Sequence, residues 1–116
     1  MAETKNARIR DTVLGIEDHG IMTFMLNLEY DGSGQGAGGY GLDGYDKDKK
    51  RRYGYGTSIT MLRRILEVVG VETWEQLPGK HIRVRATHEG VEAIGNIVKD
   101  DWLDFKQFFD SNKEDS

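Results

Sequence analysis

The sequence predicts an α+β domain: a small antiparallel sheet of two hairpins packed on one principal helix, with a long glycine-rich loop and a short C-terminal helix. Three observations carry this expectation. Residues 22–30 alternate apolar and polar side chains at period two; Ile59, Leu62, Leu66 and Val69 recur at helical spacing; residues 82–98 return to apolar alternation around a turn. A chain of 116 residues suffices for one hydrophobic core but not for two. Residues 1–110 are therefore expected to form a single domain, and residues 111–116, SNKEDS, a disordered polar tail.

Element by element, Arg8 to Ile16 reads as a first strand, ended by the turn-like Glu17-Asp18-His19-Gly20. In the next run Phe24, Leu26, Leu28 and Tyr30 fall on one face, with Thr23, Asn27 and Glu29 on the other, as a half-buried strand requires. These two runs should pair as a hairpin. The principal helix follows, with Thr57 or Ser58 as its cap and Gly70 beyond its end. Thr73-Trp74-Glu75-Gln76 fits a capping box, so one short helical turn precedes the stop at Leu77-Pro78-Gly79. Ile82, Val84 and Ala86 then alternate with Arg83, Arg85 and Thr87, and a turn at His88-Glu89-Gly90 leads to a strand through Val91, Ala93, Ile94, Ile97 and Val98. Asp104 to Phe109 reads as a brief helix whose aromatic residues dock on the body.

The most distinctive stretch lies between Asp31 and Gly56. It holds nine of the fifteen glycines, four of the five tyrosines and the consecutive cations Lys49, Lys50, Arg51 and Arg52. Glycines let backbone N–H groups approach a ligand, tyrosines offer flat faces with a polar tip, and cations favour an anion. A helix start just beyond adds free N–H donors and a positive dipole end. The segment is thus read as a ligand-binding loop, the alternative being a mobile, soluble loop. Known phosphate loops do not fit it. G-x-G-x-x-G can be drawn through Gly34, Gly36 and Gly39, but the helix begins about twenty residues later and not directly at the motif. Gly54-Tyr55-Gly56-Thr57-Ser58 also lacks the G-K-[ST] of a P-loop.

Net charge is −4, which argues against duplex nucleic acid as a partner and confines any anion site to a local patch. The absence of cysteine excludes disulfides, thiolate metal sites and a cysteine nucleophile. No membrane-spanning stretch or apolar leader is visible, so a soluble intracellular protein is expected. His19, His81 and His88 lie in three separate segments without the close spacing of a zinc site, so no metal is expected. Asp100, Asp101 and Asp104 read as acidic caps ahead of a helix, and neither Ser33 nor Ser58 sits in a nucleophile elbow. With no evident nucleophile, base or cofactor set, a binder is expected in place of an enzyme.

Several strings occur in order across roughly residues 8 to 105. They are I-E-D-H-G-I-M-T (Ile16 to Thr23), G-S-G-Q-G-A-G-G-Y (Gly32 to Tyr40), the Tyr-Gly-Thr before the helix, V-G-V-E-T-W-E-Q-L-P-G-K-H-I-R-V (Val69 to Val84) and A-I-G-N-I-V-K-D (Ala93 to Asp100). In these the chain resembles the small phage proteins of the first Thoeris anti-defence (Tad) family. The resemblance implies a phage-encoded sponge in the host bacterial cytoplasm, which sequesters cyclic ADP-ribose isomers made by TIR-domain defence enzymes without cleaving them. It further implies a homo-oligomer, immune evasion and, for some members, cyclic oligonucleotide signals of CBASS systems.

A cyclic ADP-ribose isomer calls for an aromatic or guanidinium plane, for amides and hydroxyls, and for cations with backbone donors. The candidates are Tyr40, Tyr53 or Tyr55 for stacking, Gln35 and Asn96 for ribose or base edges, and Arg52 with Arg83 or Arg85 plus the Thr57-Ser58 helix start for phosphate. Each has an ordinary alternative: Tyr40 covering the core at a strand edge, Asn96 satisfying sheet backbone, the Arg83/Arg85 stripe forming a solvated face. Asn96 stands out because it interrupts an apolar run, where an amide needs partners. No arginine follows Arg85, so a C-terminal arginine contact would have to come from Lys99, Lys106 or a neighbouring subunit. One small domain offers little concavity, so pockets at subunit contacts of a homo-oligomer are expected. Rival readings are an anti-CRISPR-like protein-binding inhibitor of a defence complex, a phosphodiesterase acting on the same signals, and a single-strand nucleic-acid binder.

Overall fold

The alternating stripe of residues 22–30 forms a strand whose Phe24, Leu26 and Leu28 are fully buried, and around it a computed structural model describing residues 2–111 builds a curled antiparallel sheet. Its strands are β1 (Glu3–Ile16), β2 (Met22–Tyr30), β3 (Ser33–Gly41), β6 (His81–Thr87), β7 (Gly90–Gly95) and β8 (Trp102–Asp104), in spatial order β3-β2-β1-β6-β7-β8. Two local meanders are thus joined by one long-range pairing, β1 to β6. A second, two-stranded sheet pairs β4 (Asp43–Asp46) with β5 (Arg51–Gly54). The helices are α1 (Gly56–Val69) and α2 (Phe105–Ser111). Of the polar tail expected at 111–116, Ser111 ends α2 and the rest lies outside the described residues. No helix among the described residues is long and apolar enough to cross a membrane.

The first strand starts earlier than expected, at Glu3, because residues 3–8 pair with β6 while residues 11–16 pair with β2 alone. A bulge between Ile9 and Asp11 resets the alternation, so that Ile9 before it and Leu14 after it face the same side as Phe24. The turn at residues 17–20 forms as expected, with Glu17 Oε1 accepting from the N–H groups of His19 and Ile21.

The glycine-rich segment is strand and ribbon where a loop was expected. Asp31 and Gly32 both have positive φ, 54° and 74°, and close a two-residue hairpin with Tyr30 paired to Ser33. The following glycines then bring β3 tightly onto β2: an added Cβ on Gly36 would stand 2.6 Å from Met25 Sδ, and one on Gly38 2.7 Å from the Phe24 carbonyl oxygen.

Helix α1 buries Met61, Ile65 and Val68, a stripe at i, i+4 and i+7, against the sheet and Leu77. Its start differs from expectation. Tyr55 occupies the cap position without a side-chain bond, and Ser58 Oγ donates instead to the Leu42 carbonyl at 2.7 Å, tying the helix to the link after β3. Gly70 ends the helix as expected, its N–H bonding Leu66 O at 2.8 Å. The 73–76 turn forms, with Gln76 Oε1 accepting from Glu72 and Thr73 N–H groups. In the last meander Ile97 and Val98 lie outside the strand and are exposed, while the short β8 was not expected. Asp104 caps α2, its Oδ1 accepting from Gln107 N at 2.9 Å, as the acidic-cap reading anticipated.

Candidate functional site

Alternation along the strands decides what lines the inside of the curl. On β1, Glu3 and Lys5 continue the inward row of Ala7 and Ile9, opposite Ala86 and Val84 of β6. On β2 and β3, Tyr30 and Gln35 continue the inward row of Leu28 and Ala37. The curl brings β3 up to β7, so that Gln35 Nε2 would stand 3.8 Å from a Cβ on Gly90. The apolar filling ends at Leu28 on β2 and Ala86 on β6, and beyond it the inward positions of β1, β2 and β3 turn polar. A hollow of about 540 Å³ opens there, lined among others by Lys5, Tyr30, Ser33, Gln35, Thr87 and His88. Its size falls in the range of about 300–1,000 Å³ typical of small-molecule sites, and barrel mouths are favoured places for them.

The polar groups of this mouth are unevenly satisfied. Lys5 Nζ donates to Asp31 and lies 3.5 Å from Glu3 Oε2, which raises its pKa above the ordinary value chiefly through the Asp31 hydrogen bond. The same ammonium stands 6.0 Å from the Tyr30 ring centroid. The Tyr30 hydroxyl is buried and has no hydrogen-bond partner among the described residues. Burial also pushes its pKa up, keeping it a neutral donor. An unpartnered buried hydroxyl costs about 1–3 kcal/mol. On the other side of the Asp31-Gly32 turn a second hollow of about 500 Å³ is lined by Arg8, Arg10, Glu29 and the same Tyr30. Arg8 there pairs with Glu29 at 3.4 Å, and Arg10 with Asp11 at 3.3 Å.

Of the ten candidate residues only Gln35 lines the mouth. Tyr40, expected to stack on a ligand, packs into the aromatic core, with ring centroids 5.3 Å from Phe105 and 4.8 Å from Phe109, because its strand position faces inward. Arg52, expected to meet phosphate, is clamped by Asp43 through Nε at 3.1 Å and Nη2 at 2.9 Å. Tyr53 and Tyr55 meet edge to face at 5.8 Å, and Tyr55 covers Gly44, where a Cβ would touch its hydroxyl. Thr57 and Ser58 border a small hollow beside Phe108 and Phe109 at the start of α1, away from the mouth.

Arg83, Arg85 and Asn96 gather elsewhere, on the outer side of β6 to β8. Arg83 donates to the carbonyls of Asn96 at 2.7 Å and Lys99 at 2.8 Å, and both guanidinium groups stack on Trp102, Arg85 at 4.0 Å from the ring centroid. Trp102 in turn fills the space over Gly95. Asn96 is held at both ends of its amide: Nδ2 donates to Val68 O, and Oδ1 accepts from Val98 and Lys99 N–H groups. The amide that interrupts an apolar run therefore ties a tight loop to the end of α1. Residues of the mouth that the sequence reading missed are Lys5, Tyr30, Ser33, Thr87 and His88. The Asp-Gly pair was the available signal, since a two-residue hairpin there would have placed Gln35 beside Leu28.

The Asp43–Arg52 pair carries a pH signature. Arg52 holds the Asp43 carboxyl below its ordinary value of 3.8, so the pair's contribution to stability is present above that value and is lost as pH falls through the lowered one. Urea midpoints measured at pH 5 and pH 3 should differ by less in Asp43→Asn than in the unaltered protein. Equal differences in the two proteins would remove the clamp from the account.

Among the described residues no group of three or more His, Cys, Asp or Glu is placed to hold a metal ion. Comparison of the chain with family models, with curated proteins and with solved structures finds no match.

Proposed function

We propose that this protein binds a cyclic ADP-ribose-type nucleotide in the mouth of its curled sheet and retains it unchanged, acting as a phage anti-defence sponge against TIR-dependent Thoeris signalling. Cyclic oligonucleotides of CBASS systems belong to the same ligand class. The observation that carries the reading is the polar hollow itself, lined among others by Lys5, Tyr30, Ser33 and Gln35, with the Tyr30 hydroxyl buried and unpartnered among the described residues. A turn of the Tyr30 side chain that opens its hydroxyl to the hollow would let a ligand oxygen supply the missing acceptor. Around it stand the other groups the ligand calls for: the Gln35 amide, the Ser33 and Thr87 hydroxyls for ribose, the Lys5 ammonium for phosphate and the His88 ring as a further polar contact. The resemblance of the ordered motifs to the Tad family supports the same ligand class.

The mouth is open to solvent, and Lys5 is already engaged by two carboxylates. A second copy laid over it would exclude water and add cations, so the functional unit under this reading is a homo-oligomer. No bond in the ligand is broken: the groups at hand hydrogen-bond and enclose.

The test uses the purified protein incubated with the products of a TIR enzyme. Native mass spectrometry should report bound ligand mass and subunit number together, and heating the complex should return the ligand intact. A linear product would make the protein a phosphodiesterase, and a stable complex with a defence protein without nucleotide binding would make it a protein inhibitor. Saturation at 100-fold above the dissociation constant adds about 2.7 kcal/mol of stability, roughly 10 °C in melting temperature. Tyr30→Phe separates the site from the fold. It should leave the free protein as stable or more stable by up to about 1 kcal/mol, while reducing the ligand-induced shift. A variant that is destabilised yet binds unchanged would overturn the role of this hydroxyl.

A further inference from the structure

The ribbon β4–β5 lies at the opposite end of the molecule from the mouth. Its Asp43 accepts from Met22 N–H at 3.1 Å, and Met22 pairs with Ile16, the last residue of β1, whereas the mouth is built around Glu3 and Lys5 at the strand's start. A two-stranded ribbon is marginal by itself. This one is anchored at its base by the Asp43–Arg52 clamp and by Tyr55 seated over Gly44. It therefore presents its tip on a fixed stalk.

The tip concentrates charge against the sign of the chain. Residues 45–53 hold five cations and two carboxylates in a protein of net charge −4. Among the described residues Lys47, Lys49, Lys50 and Arg51 enter no ion pair, although acidic residues outnumber basic ones in the chain. One of the two acidic side chains there, Asp46, is turned inward to accept from the N–H groups of Asp48 and Lys49, shaping the turn. Beside the cations two tyrosines remain open to solvent, Tyr45 at 54% and Tyr53 at 50% exposure. Tyr55 meets the Tyr53 ring edge to face at 83°, holding it in place. Together Tyr45, Asp46, Lys47, Lys49, Arg51 and Tyr53 line a shallow hollow of about 500 Å³.

Unpaired cations alone would suit any polyanion. Two exposed aromatic faces beside them suit a partner that alternates phosphates with planar rings, which an acidic protein surface does not offer. A duplex hides its ring faces in the stack. We infer that the tip of the β4–β5 ribbon is a binding site for single-stranded nucleic acid, gripping phosphates with Lys47, Lys49 and Arg51 and stacking bases on Tyr45 and Tyr53. The contact is short and reads no sequence, because it offers charge and ring faces without a row of base-edge partners.

Fluorescence anisotropy with 5′-labelled 12-nucleotide dT and rU strands, and with a 12-base-pair duplex, tests this. At 50 mM NaCl the unpaired strands should bind more tightly than the duplex, with a log–log salt slope of roughly −2 to −3, as expected for three or four phosphate contacts on single strands. The double variant Tyr45→Ala/Tyr53→Ala should weaken strand binding at least tenfold while keeping the salt slope, and Tyr45→Phe/Tyr53→Phe should restore it. Lys47→Gln/Lys49→Gln/Arg51→Gln should flatten the slope. Unchanged melting temperatures confirm that these tip variants fold. Failure of both strands to bind, equal binding of duplex, or strand binding that survives loss of both tyrosines would overturn the inference. Because these variants lie far from the mouth, nucleotide retention measured on the same proteins keeps its own separate outcome.

Discussion

Replacing Phe24 with alanine is expected to remove about 3–5 kcal/mol of stability, a large part of the roughly 5–15 kcal/mol that a domain of this size has. The side chain is fully buried on β2. Its ring lies 6.2 Å from Tyr40, 6.3 Å from Trp74 in an edge-on contact, and 6.3 Å from Phe105. It thus joins the sheet to the glycine-rich strand, to the 73–76 turn and to the C-terminal helix. No neighbour can collapse into the space without leaving its own strand or helix, so the cavity term stays large. Urea unfolding followed by tryptophan fluorescence should show a midpoint lower by roughly 2 M with an unchanged slope. A midpoint within experimental error of the unaltered protein would mean that this aromatic cluster is not what holds the 73–76 turn and the C-terminal helix to the sheet.

Gly38→Ala is expected to be nearly as damaging, at about 3 kcal/mol. The φ angle at this position is 123°, a conformation that L side chains rarely adopt, and the added methyl would stand 2.7 Å from the Phe24 carbonyl oxygen and 2.8 Å from its ring. Backbone strain contributes about 1–2 kcal/mol and overpacking about 1–3 kcal/mol. The informative control is Gly54→Ala. A Cβ there meets nothing within 4 Å and φ is not in the left-handed range, so the change should be neutral or stabilising by about 0.4–1 kcal/mol. Comparable losses at both positions, read from thermal melts, would show that glycine content as such matters and not the close approach of β3 to β2.

These two residues also mark what could be read in the chain and what could not. Phe24 belongs to a strand legible from its period-two stripe, and α1 and β6 were legible in the same way, because side-chain pattern reports burial directly. β3 was not: Ser33 to Gly41 has few side chains to alternate, and its strand character comes from the Asp31-Gly32 turn and from close packing on Met25 and Phe24. The site residues divide along the same line. Tyr40 was singled out for stacking, Arg52 for phosphate and Asn96 for ribose or base edges, and in the fold these side chains meet Phe105, Asp43 and the Val68 carbonyl. Lys5 lay ahead of the first expected strand, and Tyr30 looked like an ordinary strand member. Their place at the mouth follows from the curl of the sheet, a long-range property that no local window contains.

The pairing of β1 with β6 has a temporal side. Glu3 meets Ala86 and Arg8 meets His81, so the first strand must wait for the last third of the chain before its second edge is covered. Hairpin formation within each meander takes microseconds, whereas joining them requires closure across some seventy intervening residues. On the ribosome the nascent chain therefore emerges with an N-terminal three-stranded piece whose flank stays uncovered until β6 leaves the exit tunnel, and synthesis, at roughly 5–20 residues per second, sets the length of that delay.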